Sequence, residues 1–296
     1  MLGLLPADSN GVFLVDVHRA MATPAAVKAL EDEEMRQKYE KFVQEAGIDP
    51  RKDVYFLAAG IKIRPAQQEI EPTMVVNLSY DREALLGKIR ERANGLEESD
   101  YEGLAIYALP LPVEGQGQKP YLAFLDASNL AVGSEAGVRA VIDVFHKKAD
   151  SVRKSPEMAG ILKSAETGAL AWGAFALSPE LVKKMIEDNA MLAPLEGVTG
   201  LHMAFDTKNK STLMDFRTTG GTPDNNKNLA DTLNGLKAMG ALMAGQEPAL
   251  GELLGRIEIT SGADFVRIHA DIPQEIMDKL QEAAKAKLGA VIPVEK

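Results

Sequence analysis

Asp16 and His18 stand two residues apart in a segment that reads as a β-strand, so their side chains leave the same face. Arg267, His269 and Asp271 repeat that spacing near the other end of the chain, with Val266, Ile268 and Ala270 on the opposite face. A carboxylate beside an imidazole can move protons or hold a metal ion. On that reading a hydrolase would work through Asp16 with His18, or through His269 with Asp271. The same alternation describes the solvated side of an antiparallel strand. No nucleophile and no third ligand stands at a recognisable spacing from either pair. The reading therefore leans away from an enzyme and assigns no catalytic residue, no metal ligand and no cofactor.

The remaining motifs are weaker. No two histidines lie four apart on a helix, so the zinc-protease pattern is missing. GSEAG, from Gly133 to Gly137, has its serine second rather than central, which suits an N-cap at Ser134 better than a nucleophile elbow. The GQGQ loop at Gly115 lacks a following Lys-Ser or Lys-Thr and reads as a hairpin loop rather than a phosphate cradle. The acidic run Glu31, Asp32, Glu33, Glu34 reads as a solvated helix face, offset by Arg36 and Lys38. Asn77 to Ser79 and Asn209 to Ser211 match the glycosylation triplet, a short pattern that chance supplies.

Methionine is the sharper bias, at 12 residues against one Trp. Met185, Met191, Met239 and Met243 fall on or beside helices of the second half, where flexible thioethers suit an adaptable apolar surface. They are the candidate ligand-binding residues, for an apolar small molecule or a protein partner. Ordinary core packing is the competing account.

The elements that would position these residues come in an order stated twice. Strand Gly11–Val17 leads to a helix capped by Thr23 with Pro24 at its first position, running to about Ala46 and ended by Gly47. Strands Val54–Ile63 and Thr73–Tyr80 follow, then a helix after Asp81, a strand from Leu104, a hairpin across Ala127–Asn129 and a helix through Val138, Val141, Ile142 and Phe145. After a polar joint, strand Ala169–Leu177 and the Ser178–Pro179 helix start reopen the series. A hairpin turns at Asn209, a helix spans Asp224–Ala244 with Leu229, Leu233, Leu236, Gly240 and Met243 on one side, and a hairpin and a last helix close it. We expect an α+β protein of two related halves, 1–156 and 157–296, each an antiparallel-rich sheet with helices packed on one face. The strand at Leu104 is extra in the first half.

A net charge of −10 disfavours nucleic acid and anionic membrane surfaces. The absence of Cys excludes disulfides and thiolate sites, and no run approaches the ~20 apolar residues of a membrane span. MLGLL, cut short by Pro6, makes no complete export signal.

LLPADSNGVFLVDVHRAMATP, GIDPRKDVYFLAAG, YEGLAIYALP, YLAFLDASNLAVGS, VRAVID and LAWGAFALS together resemble a family of uncharacterised bacterial proteins. That resemblance implies an extracytoplasmic protein, periplasmic or lipid-anchored, although neither an export signal nor an anchoring cysteine appears here. It brings no activity and no catalytic residues. The expected function is a non-catalytic extracytoplasmic protein that binds an apolar ligand or a protein partner. The alternatives are the Asp/His hydrolase and a structural subunit of an envelope assembly.

Overall fold

The computed structural model describes residues 1–64, 69–92, 95–109, 119–165 and 167–291. The class is α+β, as the sequence predicts, and the chain forms two compact units. Unit 1, Met1–Ala176, holds β1 (Gly11–Asp16), α1 (Val17–Met21), α2 (Pro24–Ala29), α3 (Glu33–Ala46), β2 (Val54–Arg64), β3 (Glu69–Leu78) and α4 (Arg82–Arg92). It continues with β4 (Glu97–Tyr101), β5 (Leu104–Ala108), β6 (Tyr121–Phe124), β7 (Asn129–Gly133), α5 (Glu135–Phe145), α6 (Pro156–Ser164) and β8 (Ala171–Ala176). Its strands lie in the order β8-β1-β2-β3-β7-β6-β5-β4, all antiparallel.

Helices cover both faces of this sheet. Leu85 and Leu86 of α4 pack with Leu78, Leu122, Phe124, Leu130 and Tyr107. The other face carries small residues in register, Ala58 opposite Val75 and Val75 opposite Ala131, and receives α5 through Val138, Val141 and Ile142. The approach is close: a Cβ on Gly137 would lie 2.1 Å from Thr73 Oγ1. The stretch TMVVNL within β3 shows no clean alternation because neither of its faces is exposed.

Unit 2, Leu177–Lys296, holds α7 (Pro179–Asp188), a 3-10 segment (Ala190–Leu195), β9 (Val198–Lys208), β10 (Ser211–Gly220), α8 (Pro223–Met243), α9 (Pro248–Gly255), β11 (Ile257–Ser261), β12 (Val266–Pro273) and α10 (Gln274–Val291). Its strands lie in the order β11-β12-β10-β9, again antiparallel. Here α8 and α10 share one face: Leu229 and Ala230 pack with Val266, and Ile276 packs with Ala270 and Ile272. In unit 1 the order β2-β3-β7-β6 joins two hairpins through the second strand of each, and β9-β10-β12-β11 does the same in unit 2.

Several expectations change. The compact units part at Ala176/Leu177 rather than near Pro156, because β8 pairs along β1 from Phe175↔Gly11 to Ala171↔Val15 and α6 packs on β8. The polar joint that suggested the earlier boundary contains a 3-10 turn with Val152 fully buried. The helix expected from Pro24 to Ala46 is two helices. Asp32 interrupts it as an N-cap accepting from the backbone of Glu34 and Met35, so the acidic run is a helix start, with Glu33 and Glu34 favourably placed in its first turn. Neither α2 nor α3 has a buried residue. The strand expected at Leu104 belongs to a hairpin with β4, whose sequence EESDY carries no apolar alternation.

Candidate functional site

Adjacent strands of unit 2 bring its ionisable side chains into rows. In LHMAF on β9 and LMDFRT on β10, polar residues alternate with apolar ones, so one face takes Leu201, Met203, Met214 and Phe216 and the other takes His202, Asp215 and Arg217. Register then sets the rows: His202, Arg217, Arg267 and Thr260 in one, and Ala204, Asp215, His269 and Glu258 in the next.

Asp215, a buried carboxylate, is the hub. Arg267 reaches its Oδ2 with Nε at 2.7 Å and Nη2 at 2.5 Å, and His269 Nδ1 lies 3.1 Å from the same oxygen. The carboxylate is thus clamped by a permanent cation and shared with an imidazole. His202, only 4% exposed, sits beside it. Its burial, and then the Arg217 charge, pushes the imidazole below its ordinary value, while Asp215 works in the opposite sense. Arg217 lays its guanidinium over the Phe265 ring, 4.0 Å from the centroid.

The sequence-predicted pairs fare differently. Asp16 and His18 do not share a strand face: β1 ends at Asp16, which caps α1 by accepting from Arg19 N at 2.9 Å, and His18 is helical. Arg267, His269 and Asp271 do share a face, but His269 meets Asp215 rather than the exposed Asp271. Asp215, Arg217 and His202 were missed, although the alternation of their strands carries the signal. Ser134 is an N-cap, accepting from Gly137 N at 3.0 Å. Asn77 is tied down by bonds to Ser128 O and Asn129 Oδ1, both 3.1 Å, and Asn209 stands at the β9–β10 turn with φ 52°. The GQGQ loop lies outside the described residues.

The methionines divide. Met185 is half-buried on α7, Met191 is exposed on the 3-10 segment, Met239 is exposed on α8, and the side chain of Met243 lies outside the description. On α8, Leu229 and Leu233 face the core and Gly240 faces Leu254 of α9. Leu236, placed on that inward side by its spacing, is instead 44% exposed, followed by Met239 at 59% and Leu242 at 84%. Each three-residue step turns about 60° further from the core, which is why exposure climbs along the series. The C-terminal end of the 3-10 segment meets α8, with Glu196 O accepting from Asn225 Nδ2 at 3.1 Å and Leu195 packed against the Leu229, Ala230 and Val266 cluster.

Two clefts lie in unit 1. One, of about 70 Å³, is lined by the Lys62–Asp8 pair and by Arg64 and Glu71, 3.2 Å apart, with Ser134 donating to Glu71. The other is an open groove between charged residues of α3 and α4. Among the described residues no group of His, Asp and Glu is arranged to hold a metal ion. None of their helices is long and apolar enough to cross a membrane.

No family model matches the chain, and no curated protein matches it. Among solved structures, crystal form III of the Treponema protein TP0453 is similar with a TM-score of 0.53 at 13% identity, over 93% of this chain and 95% of that one. Crystal form I of the same protein gives 0.52 at 13% identity, over 95% and 96%. At this identity the likeness is one of fold, and it agrees with the α+β class.

Proposed function

We propose that this is a non-catalytic extracytoplasmic binding protein that engages the apolar surface of a protein partner through the outer side of α8. The observation that carries the reading is the line Leu236, Met239, Leu242, apolar throughout and increasingly open to water. From Leu233 to Gly245 the only charged residue is Lys237, and its ammonium is turned to Ile257 O at 2.7 Å. An outward helix side without charge, rimmed by the small residues Gly235, Ala238 and Ala241, is unusual for a surface that meets only water. Methionine within it suits a contact that must adapt. The extracytoplasmic setting rests on the family resemblance.

Emission of the neutral dye Nile red tests the surface. The protein should enhance it, and the L236S/M239S/L242S variant should lose most of the enhancement while keeping its circular dichroism. Equal enhancement by both proteins sinks the reading.

A further inference from the structure

Among the described residues, five buried side-chain nitrogen or oxygen atoms have no hydrogen-bond partner, and three of them belong to neighbouring positions on one face of β9 and β10: His202 Nε2, Arg217 Nε and Thr219 Oγ1. Buried polar atoms are nearly always paired, so three exceptions together call for a missing partner. Register sets them side by side. Arg217 lies directly opposite His202, and Thr219, two residues along β10, shares the Arg217 face and stands opposite Gly200. Cross-strand neighbours are about 5 Å apart and i, i+2 neighbours about 7 Å, so the three side chains share one neighbourhood.

The missing partner must accept. An arginine can only donate, a neutral imidazole can present Nε2–H, and a threonine hydroxyl turns to suit. Charge says more. Among the described residues no carboxylate forms an ion pair with Arg217, and directly across from it stands a second cation, Arg267. The one buried carboxylate nearby, Asp215, is already taken by Arg267 and His269. Glu258 is exposed on β11 opposite His269, and Asp206 and Asp271 flank Leu213, four residues along β10 and roughly 13 Å away. A water molecule would satisfy the hydrogen bonds but leave the Arg217 charge uncompensated beside a like charge.

We infer that His202, Arg217 and Thr219 form a binding site for an oxyanion, the carboxylate or phosphoryl group of a ligand. Stacking on Phe265 fixes the guanidinium plane, so its N–H edge is preset for two oxygen atoms. The neighbouring Asp215 clamp holds the second guanidinium aside and keeps the row from repelling itself. The site is separate from the α8 surface and does not depend on it.

The test is a titration of the full chain with sodium phosphate and with sodium acetate, against sodium chloride at matched ionic strength, reading the imidazole resonances by NMR. Expected is a saturable shift of the His202 ring with at least one oxyanion and none with chloride. Tighter phosphate binding identifies a phosphoryl ligand, and tighter acetate binding a carboxylate. R217Q should weaken binding by at least about tenfold, T219V less, and L236S/M239S/L242S not at all. The assignment is overturned if neither anion gives a saturable shift in the unmodified chain, as for a site holding water alone. It is equally overturned if R217Q and T219V both bind as the unmodified chain does. Because the first readout uses the natural sequence, a variant that fails to fold leaves the test intact.

Discussion

Truncating two leucines of the same helix separates its inner from its outer side. Leu229 is 7% exposed, packed with Ala230 and Val266 and bordered by Leu195, Leu233 and Ile259. Leu229→Ala removes buried carbon and leaves a cavity, so about 2–5 kcal/mol is expected. Leu242 has only about a sixth of its surface buried. Full burial of a leucine is worth about 1.5–3 kcal/mol, which scales to under about 0.5 kcal/mol for Leu242→Ala, partly offset by alanine's better helix propensity. The assay is urea unfolding followed by far-ultraviolet circular dichroism. The single tryptophan, Trp172, belongs to unit 1, so circular dichroism is the readout that covers the helices of unit 2. With a slope of about 2 kcal/mol per molar, Leu229→Ala should lower the midpoint by roughly 1–2.5 M and Leu242→Ala by no more than about 0.3 M. Comparable losses in the two variants would refute the reasoning, because the outer side of α8 would then be buried in solution.

Further outcomes follow from the polar row and from one tight contact. Asp215→Asn should destabilise by about 1.5–3 kcal/mol, and towards the lower figure because Arg267 is 40% exposed; a double-mutant cycle with Arg267→Met measures the coupling. His202 titrates below its ordinary 6.5 when folded, so the unfolded chain binds more protons just beneath that pH. Its contribution is intact above about pH 6.5 and is lost as pH falls towards the folded value, at up to about 1.4 kcal/mol per unit. His202→Gln should flatten that part of the stability–pH curve, and an unchanged curve would show that burial does not perturb this ring. Gly137→Ala forces a Cβ against Thr73 and should lower stability by about 1–3 kcal/mol, with Thr73→Ala in the same chain recovering part of the loss in thermal unfolding.

Much of the fold was legible because it is written in local signals. Thr23, Ser134 and Ser178 each cap the helix their sequence announces, and the β9–β10 turn falls at Asn209 as read. The class and the succession of hairpins followed from periodicity. What escaped reading depends on partners distant in sequence. EESDY becomes a strand because Leu104–Ala108 offers it a ladder, not because of any preference in the segment. Leu236 keeps an inward spacing on α8, yet no element packs over it closely enough to bury it. The polar row was hidden for a similar reason: His202, Asp215 and Arg267 lie on three strands, and only their register makes them neighbours. Histidine spacing along the chain pointed to Asp271, whereas the carboxylate that meets His269 comes from across the sheet.

The pair α2 and α3 is held in a different currency from the rest of unit 1. Without a buried residue, its helices rely on the caps at Thr23 and Asp32 and on pairs one turn apart, Glu34–Lys38 at 2.6 Å, Arg36–Glu40 at 3.8 Å and Lys41–Glu45 at 3.9 Å. Its polar ties outward among the described residues include Arg92 to Glu45 at 2.7 Å and Lys88 to Gln44 O at 2.8 Å. Such pairs weaken with salt and are worth only tenths of a kcal/mol each. In kinetic terms this segment is a hatch: it can open and reclose many times while the sheet beneath it stays shut. Its amides should exchange early, proteases should cut first near Leu30–Asp32, and a label or inserted sequence placed there should leave the folding of either unit's strands undisturbed.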